Sequence, residues 1–394
     1  MEFALSSDEA AFQDALRKFG DRSLRPAERT IDREGRIPDT ILAEMSRLGL
    51  LAMPVGTEFG GLGASAVLTE LAAEEVGRGD SSMATAVFFL LEAGWGWVLD
   101  RFGTKAAREE VLPPVCAGKA FLGIATTEPT GGSDLANLQT TSRRDGDAFV
   151  VRGEKAFLSG VEEAKRLGGG HLTLTRGASA FNFVYVPTNS TGITTAKYEN
   201  MGRMGISTGQ IHYEDVRVPA HYLLGGEGEG FTIAMEGFNV ARTFVSAACV
   251  GAAERALETG TAYIRERHAF GSPLAKFEAI QFELVDLYAQ VEAVKWQCRR
   301  AAWLTDRYLG GDHSLRSDMI RAVSAVKLTA PPIAFECVKR VMMWFGAAGY
   351  TKDVGLEIGL RGVMSYLVGA EGGLNIMRII LGRELLGKEF VPYK

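Results

Sequence analysis

Cysteine is scarce: four among 394 residues, at positions 116, 249, 298 and 337, with no close spacing. Thiols scattered in this way build neither a zinc knuckle nor a redox pair and read as core residues in a reducing compartment. Histidine is as thin, with five dispersed copies, so no metal-ligand cluster is legible. An excess of basic charge is missing as well. Lys and Arg total 43 against 48 Asp and Glu, a net charge of −5, which removes any bulk attraction to nucleic acid or anionic membrane. No apolar run is long enough to span a bilayer, and the richest, Met83 to Leu99, is interrupted by Glu92. The opening Met-Glu-Phe-Ala with Asp8 and Glu9 matches neither a secretory leader nor an Arg-rich transit peptide, which predicts a cytoplasmic protein.

What is present suffices for a large core: 46% hydrophobic and 23% charged residues, over a length of roughly two to three domain-sized units. Three textures divide the chain. Residues 1–120 are helical, with Phe12, Leu16 and Phe19 on one stripe and Ile41, Met45, Leu48 and Leu51 on another. A turn-rich loop follows, in which Gly61-Leu-Gly63-Ala-Ser-Ala66 superficially matches a dinucleotide fingerprint. No strand precedes it, so a Rossmann reading is rejected. Residues 121–230 change to a period of two, with strands predicted over 148–159, 171–175, 181–186 and 211–218, and Asp145-Gly146 marking a hairpin. Residues 231–394 are helical again. Phe277, Ile280, Leu284, Tyr288, Val291 and Val294 keep helical spacing, and Pro331-Pro332 predicts a helix start or kink.

Five local strings occur in this order. They are Thr127-Glu-Pro-Thr-Gly-Gly-Ser133-Asp134, Gly153-Glu-Lys-Ala-Phe157-Leu-Ser159-Gly160, Asp215-Val-Arg-Val-Pro219, Arg267-His-Ala-Phe270-Gly271-Ser-Pro-Leu274, and Glu371-Gly372 with Arg378. Each is suggestive alone; together they resemble the acyl-CoA dehydrogenase family over essentially the whole chain. The resemblance implies an α+β fold with an N-terminal helical domain, a middle β-barrel-like domain and a C-terminal four-helix bundle. It implies α,β-dehydrogenation of an acyl-CoA thioester with FAD as cofactor. An electron-transferring flavoprotein would take the electrons, and the assembly would be a homotetramer, a dimer of dimers.

By the family pattern, Thr126, Thr127, Gly132 and Ser133 cover the flavin ring and reach its pyrophosphate. Phe157, Leu158 and Ser159 match the strand that packs on the ring, Phe157 standing where Trp is commoner. Arg267 and Phe270, spaced i, i+3 and so expected on one helix face, match residues that reach a neighbouring subunit's FAD. Gly346, Gly373 and Asn375 fall on further cofactor positions. Glu278 and Met343 stand where Gln is usual, and Gly346-Ala347 where a Gly pair is usual, which predicts weaker cofactor retention.

Glu371 matches the family's proton-abstracting base, in an apolar Gly-rich loop before a helix with the stripe Leu374, Met377, Leu381 and Leu385. Ala370 replaces a common aromatic and Gly373 a common Thr, which predicts room for a branched, cyclic or otherwise bulky acyl group. Ala241 excludes the variant whose base lies on the helix of Arg242. Phe238, Asn239, Arg242 and Gly372 match substrate-lining positions, Asn239 standing in for a more usual Asp. Arg242 equally suits a structural ion pair. Glu92, on the stripe of Thr85, Phe88 and Trp95, is either a structural carboxylate or a second pocket residue. Alternatives on the same fold are an acyl-thioester oxidase, a flavin monooxygenase, or a non-catalytic relative. The carrier is CoA by family default, with acyl carrier protein as the alternative.

Overall fold

Three hydroxyls start three of the N-terminal helices. Ser6, Ser65 and Thr104 accept the backbone N–H groups of Glu9, Leu68 and Ala107 at 3.2, 3.1 and 3.2 Å. Glu9 reaches back to the Ser6 N–H and completes a capping box. The computed structural model describes residues 4–178 and 180–392. It opens with α1 (Ser7–Phe19), α2 (Arg25–Glu34), α3 (Asp39–Arg47), α4 (Ala66–Gly79), α5 (Ala84–Phe102) and α6 (Lys105–Cys116).

The strands then run β1 (Phe121–Ala125), β2 (Thr141–Asp145), β3 (Ala148–Ser159), a short α7 (Val161–Leu167), β4 (Gly169–Arg176), β5 (Phe181–Pro187), β6 (Ile193–Lys197) and β7 (Thr208–Pro219). Their order in the sheet is β1-β4-β2-β3-β7-β6, with β5 on β4; β1 joins β4 in parallel and most other pairs are antiparallel. Asp145-Gly146 turns β2 into β3 as predicted, and Gly146 takes φ 64° there. Strand β6 and helix α7 were not legible in the sequence, and β7 begins three residues before its predicted start.

The C-terminal part holds α8 (Gly230–Glu266), a hairpin of β8 (His268–Ala269) and β9 (Ser272–Pro273), α9 (Glu278–Leu309), α10 (Arg316–Trp344), α11 (Leu356–Val368) and α12 (Leu374–Leu386). Pro331 and Pro332 neither start nor end a helix; they lie inside α10. The missing N–H groups leave two carbonyls without intrahelical partners, and packing of α10 against α8, α9, α11 and α12 carries the helix through. The predicted α9 stripe is wider than its covered face: Val291 and Val294 are buried, whereas Tyr288 is exposed. On α12 only Met377 of the predicted stripe is buried.

Helix α5 is apolar on all sides and sits at the centre. Its Trp95 meets Phe238 of α8 and Phe183 of β5 edge-on, with centroids 5.3 and 6.2 Å apart, and Phe88 meets Phe121 of β1 at 5.4 Å. The long α8 packs on α4 with almost no side-chain spacer. A Cβ on Gly77 would lie 2.2 Å from the Ala248 carbonyl oxygen, and one on Gly251 would lie 1.9 Å from that of Glu74. Buried ion pairs flank this seam: Glu70 with Arg299 at 2.6 Å, and Lys295 with Glu74 and Glu254 at 2.8 Å each. Among the described residues no helix is long and apolar enough to cross a membrane.

Candidate active site

A cavity of about 840 Å³ opens between the sheet, α5, α8 and the loop before α12. The loop leaving β1 forms one wall with Thr126, Thr127, Gly132 and Ser133. A buried ion pair braces this loop. Lys155 Nζ donates to Glu128 Oε1 at 2.8 Å and to the Thr126 carbonyl at 3.1 Å, while Glu128 accepts the amides of Gln139 and Thr140 at 2.6 and 2.8 Å. Burial opposes the Glu128 charge, yet Lys155 and these amides hold its carboxyl below the usual range. Reading along the chain missed both residues. A lysine within a period-two run signals burial only once its partner, 27 residues away, is known.

Phe157, Leu158 and Ser159 continue the wall from β3. The register of β3 on β7 shifts between Lys155 and Leu158, a bulge that sets Ala156 and Phe157 opposite the single Gln210. Phe157 takes φ 57° in this bulge and stands 65% exposed, its ring stacked on Tyr198 with centroids 5.0 Å apart. The bulge, which strict alternation does not encode, therefore presents a flat aromatic face at the cavity.

The opposite wall is α8 and the loop 369–373. Phe238, Asn239 and Arg242 line it from α8, with Glu371, Gly372 and Gly373 from the loop. Arg242 Nε donates to the Glu371 backbone carbonyl at 3.1 Å, and Nη1 donates to Asn239 Oδ1 at 2.8 Å. Glu371 is half-buried. Burial drives its carboxyl up to about 7, against the opposing pull of Arg242, Lys327 and Arg203. Burial also brings Arg242 down to about 10 and Lys327 to about 8. Arg203, Lys327 and Tyr366 belong to this neighbourhood and carried no sequence signal, because they come from a loop and two helices far apart in the chain.

Gly346, Asn375 and Glu92, expected at this site, lie off this wall, as do Arg267 and Phe270, which the resemblance assigns to a neighbouring subunit's cofactor. Arg267 and Phe270 do not share a helix face: α8 ends at Glu266, and the two residues frame a hairpin in which Phe270 takes φ 52° and is 97% exposed. The i, i+3 spacing fits a tight hairpin as well as a helix, and Gly271-Ser-Pro273 decides for the hairpin. Gly346 begins the turn after α10, with no atom within 4 Å of where a Cβ would stand. Asn375 is exposed and accepts from Arg378 Nη1 at 2.8 Å. Glu92 is fully buried inside α5, where Oε1 accepts the Leu122 amide at 3.1 Å and Oε2 has no partner. It is absent from the cavity lining, and burial raises its carboxyl well above the ordinary range. Glu278 occupies the exposed first turn of α9, where the helix dipole favours a carboxylate, and Met343 is exposed.

The wall fits a flavin. The hydroxyl-bearing Thr126, Thr127, Ser133 and Ser159 share the cavity wall with the exposed Phe157, and the loop leaving β1 adds backbone N–H groups. A helical domain, a curled β-sheet half-barrel and a second helical domain enclose this cavity. Family models agree across the chain: "Acyl-CoA dehydrogenase, N-terminal domain" matches residues 6–119, the middle domain 123–216 and the C-terminal domain 228–386. The Bacillus subtilis (strain 168) protein described as "Probable acyl-CoA dehydrogenase YngJ" is 31% identical over 98% of this chain and 100% of its own length. The Bos taurus mitochondrial short-chain specific acyl-CoA dehydrogenase is 32% identical over 94% of this chain and 88% of its own length. The butyryl-CoA dehydrogenase structure from Megasphaera elsdenii superposes with a TM-score of 0.88 at 25% identity, covering 98% of this chain and 100% of that one. The chain belongs to the acyl-CoA dehydrogenase family. It is an oxidoreductase acting on CH–CH groups.

Proposed function

We propose that this acyl-CoA dehydrogenase acts on a short acyl thioester with a branched, cyclic or otherwise bulky acyl group, Glu371 removing the α-proton. The observation that carries the reading is the half-buried Glu371 carboxyl, held near neutrality on the cavity wall. A base works best when its pKa lies close to operating pH, so that it is both ionised and strong enough to accept. Arg242 fixes the loop by gripping the Glu371 carbonyl, which leaves the carboxyl to meet the substrate. Ala370 and Gly373 leave space around it. FAD, when bound, supplies the acceptor for the hydride leaving Cβ.

Thr126, Thr127, Ser133 and Ser159 would hold and orient the cofactor, with Phe157 covering it. Arg267 and the exposed Phe270 do not line their own cavity and suit the site of another subunit, which favours an oligomer. An electron-transferring flavoprotein is the proposed electron acceptor. Anaerobic titration of the FAD-loaded protein with straight, branched, alicyclic and aromatic acyl-CoAs tests the reading. Bleaching of the visible flavin band by a bulky member and not by straight chains supports it. Bleaching by straight chains alone overturns the substrate class, and no bleaching at full FAD occupancy overturns the dehydrogenation of CoA esters.

A further inference from the structure

The base of the cavity carries more positive charge than its carboxylates balance. Glu371 feels three cations, Arg242, Lys327 and Arg203. None of the three has a carboxylate within ion-pair distance among the described residues. Arg242 and Lys327 satisfy themselves on neutral oxygens: Asn239 Oδ1, the Glu371 carbonyl, and the Tyr366 carbonyl at 2.8 Å from Lys327 Nζ. Asn239 matters here, because an acidic residue at that position would neutralise Arg242 and the amide does not. Arg203 has one long contact, Nη2 to Thr208 Oγ1 at 3.4 Å.

The backbone around Arg203 is wedged in place. A Cβ on Gly202 would lie 2.5 Å from the Arg361 carbonyl of α11, and one on Gly205 would lie 2.3 Å from Ile31 of α2 and 2.9 Å from Ala84 of α5. Arg361 Nη1 also grips the Met201 carbonyl at 3.0 Å. Between these contacts Arg203 takes φ 56°, the left-handed region, which is disfavoured for a residue with a Cβ. The loop therefore holds a half-buried guanidinium on the cavity wall in an unfavourable backbone conformation, with its hydrogen-bonding capacity largely unused. Proton transfer to Glu371 deepens the imbalance, since it removes the one carboxylate that faces the three cations.

We propose that Arg203 binds a carboxylate carried by the acyl group, so that the substrate is a dicarboxylic acyl thioester whose far carboxylate pairs with this guanidinium. This rests on the dehydrogenation reading above and names its substrate class. A substrate carboxylate keeps its charge while Glu371 loses its own, and a guanidinium is the side chain best matched to a carboxylate in two-point geometry. Val87, Leu90, Leu91 and Ile124 give the intervening methylenes an apolar wall.

Calorimetric binding of glutaryl-CoA and methylsuccinyl-CoA to the FAD-loaded protein, against butyryl-CoA and isobutyryl-CoA, tests the proposal without requiring turnover. The dicarboxylic pair is expected to bind at least about tenfold more tightly, the usual effect of a partly buried charged hydrogen bond. In Arg203→Gln that ratio collapses toward one, and Arg203→Lys restores part of it. Equal or tighter binding of the neutral esters overturns the proposal. So does an Arg203→Gln variant that keeps the ratio and loses kcat alike for all four esters, a result that assigns Arg203 to transition-state electrostatics. Flavin bleaching is followed in parallel: a preserved binding preference without bleaching overturns the dehydrogenation reading and leaves the Arg203 assignment standing.

Discussion

Arg242 holds the base by its backbone: Nε donates to the Glu371 carbonyl at 3.1 Å while Nη1 is anchored on Asn239 at 2.8 Å. The guanidinium thus does two things, fixing the loop and acting as a cation on the carboxyl. Arg242→Gln should lose both. Misplacing a base by about 1 Å costs on the order of 10²-fold in rate, so kcat/KM is expected to fall by about that factor, with the acid limb moved to higher pH. A steady-state pH series on the variant checks this; an unchanged midpoint refutes the cationic part.

Glu371 itself sets the sign of the pH dependence. Its carboxyl rises from an ordinary 4.5 to about 7 through burial. Proton abstraction needs the anion, so activity is lost as pH falls through about 7 and regained above it. Glu371→Gln removes the base, with an expected loss of about 10³-fold in turnover and FAD still bound. A variant that retained both rate and pH profile would move the base elsewhere.

Gly373 gives a direct test of pocket room. A Cβ there would meet only the Val368 carbonyl at 3.6 Å, an ordinary contact, so Gly373→Thr should fold normally. Added methyl and hydroxyl groups beside the base should lower kcat/KM for branched and alicyclic esters by about tenfold relative to straight chains. Kinetics on matched straight and branched pairs decide it.

Glu92→Gln should leave product and turnover as they are, because Glu92 faces the Leu122 amide inside the core. The Gln oxygen keeps that bond. A carboxyl raised well above 4.5 in the folded state costs stability increasingly as pH rises above 4.5. The melting temperature of the variant should therefore exceed that of the parent at pH 8, with little difference at pH 5. A changed product or rate would return Glu92 to the pocket.

Lys155→Met tests the brace under the flavin wall. Leaving Glu128 buried and unpaired costs about 3–5 kcal/mol, and the Thr126 carbonyl loses its donor. Lower melting temperature and faster FAD loss on gel filtration are expected. Lys155→Met with Glu128→Leu should recover stability more than cofactor retention, since Leu no longer ties down the amides of Gln139 and Thr140.

The predicted alternation and the Asp-Gly turn gave the bounds of β3, although burial along Ala148–Ser159 does not alternate strictly. The same alternation concealed the bulge at Phe157, which depends on how β3 registers on β7. The family resemblance located Thr126, Ser133, Arg242 and Glu371, all of which line the cavity. The i, i+3 spacing misassigned Arg267 and Phe270 to a helix that ends one residue earlier. Arg203 and Lys327 stayed invisible because a charge excess is a property of a place in space, assembled from loop 200–207 and α10, and no stretch of chain contains it.

The glycine seam between α4 and α8 bears on how such a protein diversifies. With Gly77 and Gly251 in backbone contact, no side chain sets the separation of the two helices there, and any replacement would force them apart. Gly251 lies on the same helix as Arg242, nine residues along, so a wedge at the seam would tilt the anchor of the base. Gly373, on the loop that Arg242 anchors, carries no comparable restraint: a Cβ there meets one ordinary contact, whereas Gly372 beside it takes φ 95°. Variation in substrate can therefore accumulate on the loop while the seam stays fixed, and grafting loops between relatives should transfer acyl preference only when both glycines are kept.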